Sequence, residues 1–321
     1  MKAMVQHSYG QPEVIVPQEI PKPSPEKKEI LIRVQAAVVG PSDCAFRKGD
    51  PRIIKLIYGF SRPKFAVGGC ELAGEVESVG QEVKQIKPGD RVLGMSVKTF
   101  GAYAEYKCLP EDSPLVVIPD NLSFEEAVGI CDGGATALTF LRDKAKLRKG
   151  QKVLINGASG AVGIYAVQLA KFYGAEVTGV CSASNLGLVR RAGADFVIDY
   201  SQEDFTKAGK AYDVVFDAVG KRSFSACTRV LTAKGIYLTT VPKLSIVIQM
   251  MWSSLFKGKR AFFATAGLMQ NKANLEYLME LASNGTLNAM IDRRYPLEHL
   301  PDAHRYVETE RKKGNVIIVV P

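Results

Sequence analysis

Residues that build metal centres and disulfide scaffolds are scarce in this sequence. Among its 321 residues there are only three histidines, His7, His299 and His304, which excludes a site rich in imidazole ligands. The six cysteines are never closer than 23 residues apart, so the chain has neither a CxxC zinc motif nor the dense cysteine spacing of a secreted disulfide scaffold. We therefore expect reduced thiols and a cytoplasmic location.

Long hydrophobic runs are lacking as well. The most apolar stretch, residues 244–256, is 13 residues long, fewer than the ~18–20 that span a bilayer, and the first residues contain no apolar run of signal-peptide length. This stretch is expected to form a loop and helix that pack on the core or line a cleft, with docking to a membrane surface as the alternative. No stable membrane insertion is expected.

Acidic residues are outnumbered by basic ones, 33 against 42, which gives a formal net charge of +9. The hydrophobic fraction of 46% and the charged fraction of 23% are ordinary for a globular protein and exclude disordered, collagen-like and coiled-coil classes. The positive charge is compatible with phosphate-bearing ligands, nucleic acid or an anionic membrane. No basic-aromatic motif of a nucleic-acid-binding module is present, so we expect no nucleic-acid partner.

The order of secondary-structure signals predicts two domains in a mixed α/β chain. Up to residue 120, short β-branched runs separated by glycine and proline predict an antiparallel, β-rich domain. Ser123 and Glu126 then form a capping box that starts a helix. The tail, with two helices and a strand, is expected to rejoin the first domain. The predicted domains are therefore 1–120 with 268–321, and 121–267.

The second predicted domain alternates strands and helices. This alternation, with apolar strands, predicts a doubly wound parallel sheet that is covered on both faces. The predicted strands are residues 152–156, 176–181, 196–200, 213–218 and 235–240, with 260–266 as a candidate edge strand.

A glycine-rich turn, residues 157–163 (GASGAVG), follows the first of these strands and opens a helix. This is the context that the dinucleotide-binding fingerprint requires. Small residues let the backbone approach a pyrophosphate, which free N–H groups at a helix N-terminus favour. Gly163 would allow the helix to pack closely on the strand. The alternative is a turn that serves packing alone.

The segment after the next strand predicts the type of cofactor. A site that prefers NAD places an acidic residue there to bind the ribose 2′-hydroxyl, but this chain has no acid until Asp195. Ser182, Ser184 and Asn185 can instead donate hydrogen bonds to a 2′-phosphate. The sequence therefore predicts NADPH rather than NADH.

Motifs spread over most of the chain resemble the medium-chain dehydrogenase/reductase superfamily, in its zinc-free branch of quinone oxidoreductase-like proteins. Besides the glycine turn they are residues 69–80 (GCELAGEVESVG), 87–92 (KPGDRV), 101–106 (GAYAEY), 192–200 (AGADFVIDY) and 212–220 (YDVVFDAVG). The resemblance implies a GroES-like catalytic domain, a Rossmann domain and a nicotinamide cofactor in the cleft between them. It also implies a homodimer.

The same resemblance indicates which positions would supply the ligands of a catalytic zinc. Zinc alcohol dehydrogenases of this superfamily place cysteine, histidine and cysteine where this chain has Gly40, Cys70 and Asp132. Because a catalytic zinc takes about three protein ligands, the two that remain are too few, and no metal is expected. An improvised site that uses Cys70, Cys131 or Asp132 stays open.

The resemblance also implies two candidate catalytic residues. Ser42 lies where zinc alcohol dehydrogenases have a proton-relay hydroxyl, and Tyr58 lies in the segment where related enoyl reductases have a proton-donating tyrosine. A turn-stabilising role for Ser42 and a packing role for Tyr58 are the alternatives. The candidate cofactor-binding residues are Thr136, Ser159, Gly160, Ala161, Val162, Ser182, Asn185 and Tyr200.

The function implied is NADPH-dependent hydride transfer to hydrophobic quinones or α,β-unsaturated carbonyls without zinc. Substrates that accept hydride by conjugation need no metal to polarise their carbonyl group. The alternatives are an alcohol dehydrogenase of the same superfamily and a non-catalytic NADPH-binding or redox-sensing protein.

Overall fold

A computed structural model describes residues 1–207, 209–241, 244–255, 258–264 and 271–321. The strands of the described residues are β1 (Lys2–Gln6), β2 (Ile15–Glu19), β3 (Glu29–Val39), β4 (Glu71–Val79), β5 (Arg91–Met95), β6 (Tyr106–Pro110), β7 (Leu115–Val117), β8 (Lys152–Asn156), β9 (Glu176–Cys181), β10 (Phe196–Asp199), β11 (Tyr212–Asp217), β12 (Leu231–Thr239), β13 (Arg260–Phe263), β14 (Ile291–Pro296) and β15 (Asn315–Val319). The α-helices there are α1 (Pro41–Lys48), α2 (Ile53–Tyr58), α3 (Phe124–Leu138), α4 (Ala161–Phe172), α5 (Leu186–Arg191), α6 (Phe224–Cys227), α7 (Leu244–Leu255), α8 (Lys272–Ser283) and α9 (Leu300–Glu308).

Contacts between residues divide the chain into two units. Unit one is Met1–Cys131 with Gln270–Pro321, and unit two is Asp132–Met269. This division falls within α3, between Cys131 and Asp132, whereas the sequence predicts a boundary at residue 120. The reason is that the first half of α3 bonds to unit one, where Asn315 Nδ2 donates to Gly129 O at 2.7 Å.

The sheet of unit one has the strand order β14-β15-β3-β4-β5-β7, and β6 also pairs with β3. The pairs β15–β3, β3–β4, β4–β5, β5–β7 and β3–β6 are antiparallel, whereas β14 and β15 run parallel. The long central strand β3 is apolar and almost entirely buried, because it is paired on both edges. The tail contributes β15, which pairs with β3.

Two helices of unit one place polar side chains inside it. In α9 the buried residues Leu300, Ala303, His304 and Val307 recur at the spacing of one helical face. In α1, Pro41 starts the helix, and Gly49 ends it in the left-handed conformation with φ 64°. The buried residues of α1 are Asp43, Cys44 and Arg47.

Unit two has a parallel sheet with the strand order β10-β9-β8-β11-β12-β13. This is the doubly wound Rossmann order, so the predicted fold class is confirmed. The predicted edge strand is also confirmed at Arg260–Phe263, while residues 265–266 of that prediction lie outside the described residues. The predicted capping box is present at the start of α3, where Ser123 N donates to Glu126 Oε2 and Glu126 N donates to Ser123 Oγ.

The apolar stretch at residues 244–256 forms helix α7 up to Leu255, and residue 256 lies outside the described residues. Ile246 is buried, but Val247, Ile248, Met251 and Trp252 are exposed. Ile246 and Met250 belong to the hydrophobic cluster of unit two, so this stretch packs on the core with one face and exposes the other. None of the described helices is both long enough and apolar enough to cross a membrane.

Candidate functional site

The glycine turn of unit two joins β8 to α4 with little space between backbone segments. Gly157 has φ 81°, a conformation that favours glycine. A Cβ on Gly163 would lie 2.1 Å from Gly157 O, so only glycine fits at that position. A Cβ on Gly160 would meet only Gly157 O, at 3.4 Å, and therefore points into open space.

The start of α4 is suited to an anion. Its N-cap residue, Gly160, has no side chain to accept a hydrogen bond from the first turn, and that turn contains no acidic residue. The partial positive charge of a helix N-terminus and its free N–H groups favour phosphate. Together with the open space beside Gly160, these features fit the pyrophosphate of a dinucleotide.

Polar side chains predicted to bind the cofactor meet beside this turn. Asn185 Nδ2 donates to Ser159 Oγ at 3.1 Å, so the segment after β9 is linked to the turn after β8. Ser182 Oγ and Ser184 Oγ are 3.2 Å apart, which extends the polar cluster. Gly160, Ala161 and Val162 are half-buried at the start of α4.

Thr136 and Tyr200 approach the same end of the sheet from two other elements. A Cβ on Gly133 would lie 2.5 Å from Ala161 O, so α3 packs against the first residue of α4. Thr136 is one turn further along α3, is buried, and donates to Asp132 Oδ1 at 3.4 Å. Tyr200 follows β10, where its N–H donates to Cys181 O, and its side chain is 58% exposed.

Asp217, at the end of β11, is a positioning residue that the sequence reasoning missed. Its carboxylate is fully buried, and its two oxygens accept five hydrogen bonds. The donors are Asn156 Nδ2, Val219 N, Gly220 N, Arg222 N and Tyr237 Oη. An aspartate that ends an apolar parallel strand is the sequence signal that would have found it.

Unit one contains a cavity of about 40 Å³. Tyr58 lines this cavity, whereas Ser42 is exposed in the first turn of α1 and does not line it. Of the two predicted catalytic residues, only Tyr58 therefore lines this cavity. Burial raises the pKa of Tyr58 above its ordinary value, so its phenol is protonated at neutral pH.

Four aromatic rings form one wall of the cavity, which we call the aromatic cluster: Phe46, Tyr58, Phe65 and Phe100. Phe46, Tyr58 and Phe100 make three edge-to-face pairs with ring centroids 4.8–5.2 Å apart. Phe65 lies against Phe100 at 5.6 Å. This geometry is the favourable arrangement for aromatic pairs, so the wall is well packed.

A buried polar cluster forms another part of the cavity. The Arg47 guanidinium, 2% exposed, pairs through Nη2 with Glu308, to which Lys48 Nζ also lies at 3.0 Å. His304, 1% exposed, has its Nδ1 at 3.4 Å from Cys44 Sγ. The helical spacing of the buried residues in α9 is the sequence signal that could have identified His304 as a buried residue. Arg47 lies three residues after Cys44 on the buried face of α1.

His304 should make the protein less stable as pH falls. Burial and the nearby Arg47 lower the pKa of His304 to about 3, whereas in the unfolded chain the value is about 6.5. The stabilising contribution is complete above about pH 6.5 and is lost as pH falls towards 3, because only the unfolded chain takes up the proton there. Its expected slope is at most about 1.4 kcal/mol per pH unit.

Urea unfolding between pH 7.5 and 4.5 tests this expectation. His304→Gln should flatten the pH dependence relative to the wild type, and the exposed His299→Gln should leave it unchanged. Equal slopes for the wild type and His304→Gln would contradict the proposed protonation behaviour.

The positions considered for zinc are Gly40, Cys70 and Asp132. Gly40 offers no ligand atom, and no group of three or more His, Cys, Asp or Glu side chains that could hold a metal ion occurs within the described parts of the chain. None of the six cysteines forms a disulfide, and Cys70 is half-buried.

Comparison with known proteins places these features in a family. The profile of the alcohol dehydrogenase GroES-like domain matches residues 26–120, and that of zinc-binding dehydrogenases matches residues 192–318. A quinone oxidoreductase of Pseudomonas aeruginosa is 30% identical, with 97% of both chains covered. The chloroplastic NADPH-dependent alkenal/one oxidoreductase of Arabidopsis thaliana is 30% identical over 99% of this chain and 79% of its own.

A solved structure shows the same relationship. The Escherichia coli quinone oxidoreductase complexed with NADPH aligns with a TM-score of 0.84 at 27% identity, covering 99% of this chain and 100% of that one. The chain therefore belongs to the medium-chain dehydrogenase/reductase superfamily of oxidoreductases, among its quinone oxidoreductase-like proteins.

Proposed function

We propose that this protein is an NADPH-dependent reductase of quinones or α,β-unsaturated carbonyl compounds that works without zinc. The observation that carries the proposal is the polar cluster around Ser159, Ser182 and Asn185, which lies beside an uncapped helix N-terminus and contains no acid. The names of the relatives from Pseudomonas aeruginosa and Arabidopsis thaliana support both substrate classes.

NADPH, when bound, supplies a hydride to the conjugated acceptor. The residues of unit two hold it: the N–H groups of Ala161 and Val162 at the start of α4 bind the pyrophosphate, and Ser182 and Asn185 donate to the 2′-phosphate. An aspartate or glutamate in that segment would repel the 2′-phosphate, and the segment has none. Thr136 and Tyr200 complete the proposed set.

The proton that follows the hydride is assigned to Tyr58. Its hydroxyl is protonated at neutral pH because burial raises its pKa, and its ring lines the cavity of unit one. A positioned phenol of this kind can act as a general acid. Ser42 is the second candidate, since its hydroxyl is exposed at the start of α1 and reaches solvent directly.

Independence from zinc is supported by the residues at the expected ligand positions. Gly40 has no side chain that could bind a metal, which leaves only Cys70 and Asp132 of the three positions. The alternative, an alcohol dehydrogenase that uses a metal, predicts stoichiometric zinc in the purified protein. Metal analysis therefore separates the two functions.

A cytoplasmic location and a homodimer are also part of the proposal. None of the six cysteines forms a disulfide, which fits a reducing compartment. Gel filtration with light scattering tests the dimer.

Steady-state oxidation of NADPH and NADH with a panel of quinones and enones tests the function. We expect kcat/KM to be at least about tenfold higher with NADPH. Ser182→Asp should lower kcat/KM for NADPH by about tenfold or more and leave NADH nearly unaffected, because the new carboxylate repels the 2′-phosphate.

The matched control is Ser225→Asp, which adds the same charge at an exposed position on α6 in unit two. Equal or better use of NADH by the wild type would contradict the cofactor assignment. Absence of turnover across the whole panel would favour a protein that binds NADPH without catalysis.

A further inference from the structure

We propose that unit one docks on an anionic lipid membrane through a surface formed by α2 and the loop after it. The apolar part of this docking surface is Ile53, Leu56 and Phe60, and its basic part is Arg52, Arg62 and Lys64. The proposal goes beyond the proposed function, because it concerns the surface to which the protein binds and not the reaction.

Helix α2 is apolar on its exposed side as well as on its buried side. Ile54 is buried, and Tyr58 lines the cavity of unit one. Ile53 and Leu56, three residues apart on one face of the helix, are 55% and 69% exposed. Phe60, two residues after the helix ends, is 80% exposed. Phe60 and Leu56 have the highest exposed fractions among the large apolar residues that the structure describes, and apolar side chains exposed close together in the chain indicate an interaction surface.

The loop after α2 is closed at its base. Lys64 N donates to Tyr58 O at 2.6 Å. Gly59 has φ 121°, and a Cβ at this position would lie 2.1 Å from Arg62 O, so only glycine permits this turn. Phe60 and Arg62 therefore lie within a closed loop, and less conformational freedom is lost when they bind a surface than in an open chain.

The charge of this segment is entirely positive. From residue 51 to residue 70 there are four basic residues and no acidic one. Arg52, Arg62 and Lys64 are exposed, whereas Lys55 Nζ lies 5.1 Å from the centre of the Tyr9 ring. Long basic side chains can hold their charge at the level of lipid phosphates while their stems lie on apolar material. Apolar side chains with basic neighbours are typical of surfaces that bind the membrane interface.

The same charge favours a bilayer over a second copy of the chain. Two copies of the docking surface would bring like charges together, and the only exposed acid next to this segment is Asp50. An anionic bilayer supplies the opposite charge and requires no shape complementarity. With only three apolar side chains, the binding should be shallow and sensitive to salt.

Co-sedimentation with lipid vesicles tests the docking on the full-length protein without cofactor or acceptor. The vesicles consist of phosphatidylcholine alone or with about 30% phosphatidylserine. We expect binding to the anionic vesicles to be about tenfold or more tighter at low salt, and this difference to disappear at about 0.5 M salt, because the ions screen the charges. Equal binding to both kinds of vesicle, or binding to neither, would overturn the proposal.

Two double variants assign the docking surface. Leu56→Ser with Phe60→Ser removes most of the exposed apolar area and should weaken binding to anionic vesicles by about tenfold or more. Arg52→Gln with Arg62→Gln should weaken it by about fivefold for each charge removed. Unchanged binding in either double variant that retains the wild-type melting temperature would overturn the assignment.

Each double variant has a matched control. Trp252→Ser removes an exposed aromatic side chain from α7, and Lys27→Gln with Lys84→Gln removes two exposed charges elsewhere in unit one. Both controls should bind within about threefold of the wild type. If Trp252→Ser loses as much binding as the Leu56 and Phe60 variant, docking through α2 is wrong.

Fluorescence locates the contact without depending on a loss of binding. In the variant Phe60→Trp with Trp252→Phe, we expect anionic vesicles to shift the tryptophan emission to the blue and brominated acyl chains to quench it. The wild type, whose only tryptophan is Trp252, should show neither effect. Light scattering then tests the other occupant. If the Leu56 and Phe60 variant changes its oligomeric state but still binds vesicles, the surface joins two copies and the proposal fails.

The outcomes separate the docking surface from the proposed function. Vesicle binding by a protein that turns over no acceptor would leave the docking surface standing and the proposed function refuted. Turnover of quinones by a protein that binds no vesicles would do the reverse.

Discussion

Gly163→Ala is expected to lower the melting temperature of the protein by about 10 °C and to abolish measurable NADPH binding. The added Cβ would lie 2.1 Å from Gly157 O, 2.8 Å from Gly157 C and 2.9 Å from Ala158 Cα. All three are backbone atoms, so no flexible side chain can move aside. Overpacking of this kind costs about 3 kcal/mol, and it displaces the turn that holds the pyrophosphate.

Gly160→Ala is the matched control within the same turn. Its φ of −81° suits any residue, and the added Cβ would meet only Gly157 O at 3.4 Å. We therefore expect an unchanged melting temperature but weaker NADPH binding, because the methyl group occupies the space in front of the helix. Differential scanning fluorimetry and calorimetric titration measure the two effects. A Gly163→Ala variant as stable as the wild type would contradict the close packing of α4 on β8.

Local sequence patterns predicted strands of unit two and the start of α3 well. The strands β8 and β9 begin and end at the predicted residues, and the capping box of Ser123 and Glu126 is formed. These elements depend on short-range rules: apolar runs, glycine in the turn and a polar cap. Helix α1 obeys such rules too, with Pro41 at its start and Gly49 after its end, although the sequence analysis considered only Gly40 and Ser42 of this segment.

The cavity of unit one could not be predicted in the same way. It depends on contacts such as Cys44 with His304 and Arg47 with Glu308, which join residues about 260 positions apart. No local pattern states which face of α1 meets which face of α9. The periodicity of α9 shows only that His304 is buried, not which partner it meets. Most of the candidate cofactor residues follow consecutive strands of one parallel sheet, so local patterns place them at the same edge, and their role stays a prediction.

The hydrogen bonds of Asp217 join neighbouring parts of the unit-two sheet at its topological switch point, where the strand order reverses. The strand β8 lies between β9 and β11, so the crevice for a dinucleotide opens at the carboxyl ends of β8 and β11. The hydrogen bond from Asn156 Nδ2 to Asp217 Oδ1, 2.9 Å long, joins the last residues of those two strands. Asp217 also accepts hydrogen bonds from Gly220 N and Arg222 N, and so fixes the loop after β11.

Asp217→Ala is therefore expected to destabilise the protein by about 3–5 kcal/mol, since several buried donors lose their acceptor at about 1–3 kcal/mol each, and to lower its melting temperature by about 10 °C or more. The substitution leaves the buried amide of Asn156 and the backbone N–H groups of Gly220 and Arg222 without their acceptor. Buried donors that lose a charged partner are costly because water does not replace it. The loop after β11 should then become mobile, and NADPH affinity should fall along with stability.

Asp213→Ala, on the same strand, is the matched control for this prediction. Asp213 is half-buried, and it accepts hydrogen bonds from Lys152 N at 2.9 Å and Thr232 Oγ1 at 3.3 Å. Because water can reach these donors, the loss should be only about 1 kcal/mol. Thermal unfolding and NADPH titration of the two variants give the comparison. Equal losses would show that the position of Asp217 at the switch point carries no special weight, since both variants remove one carboxylate from β11.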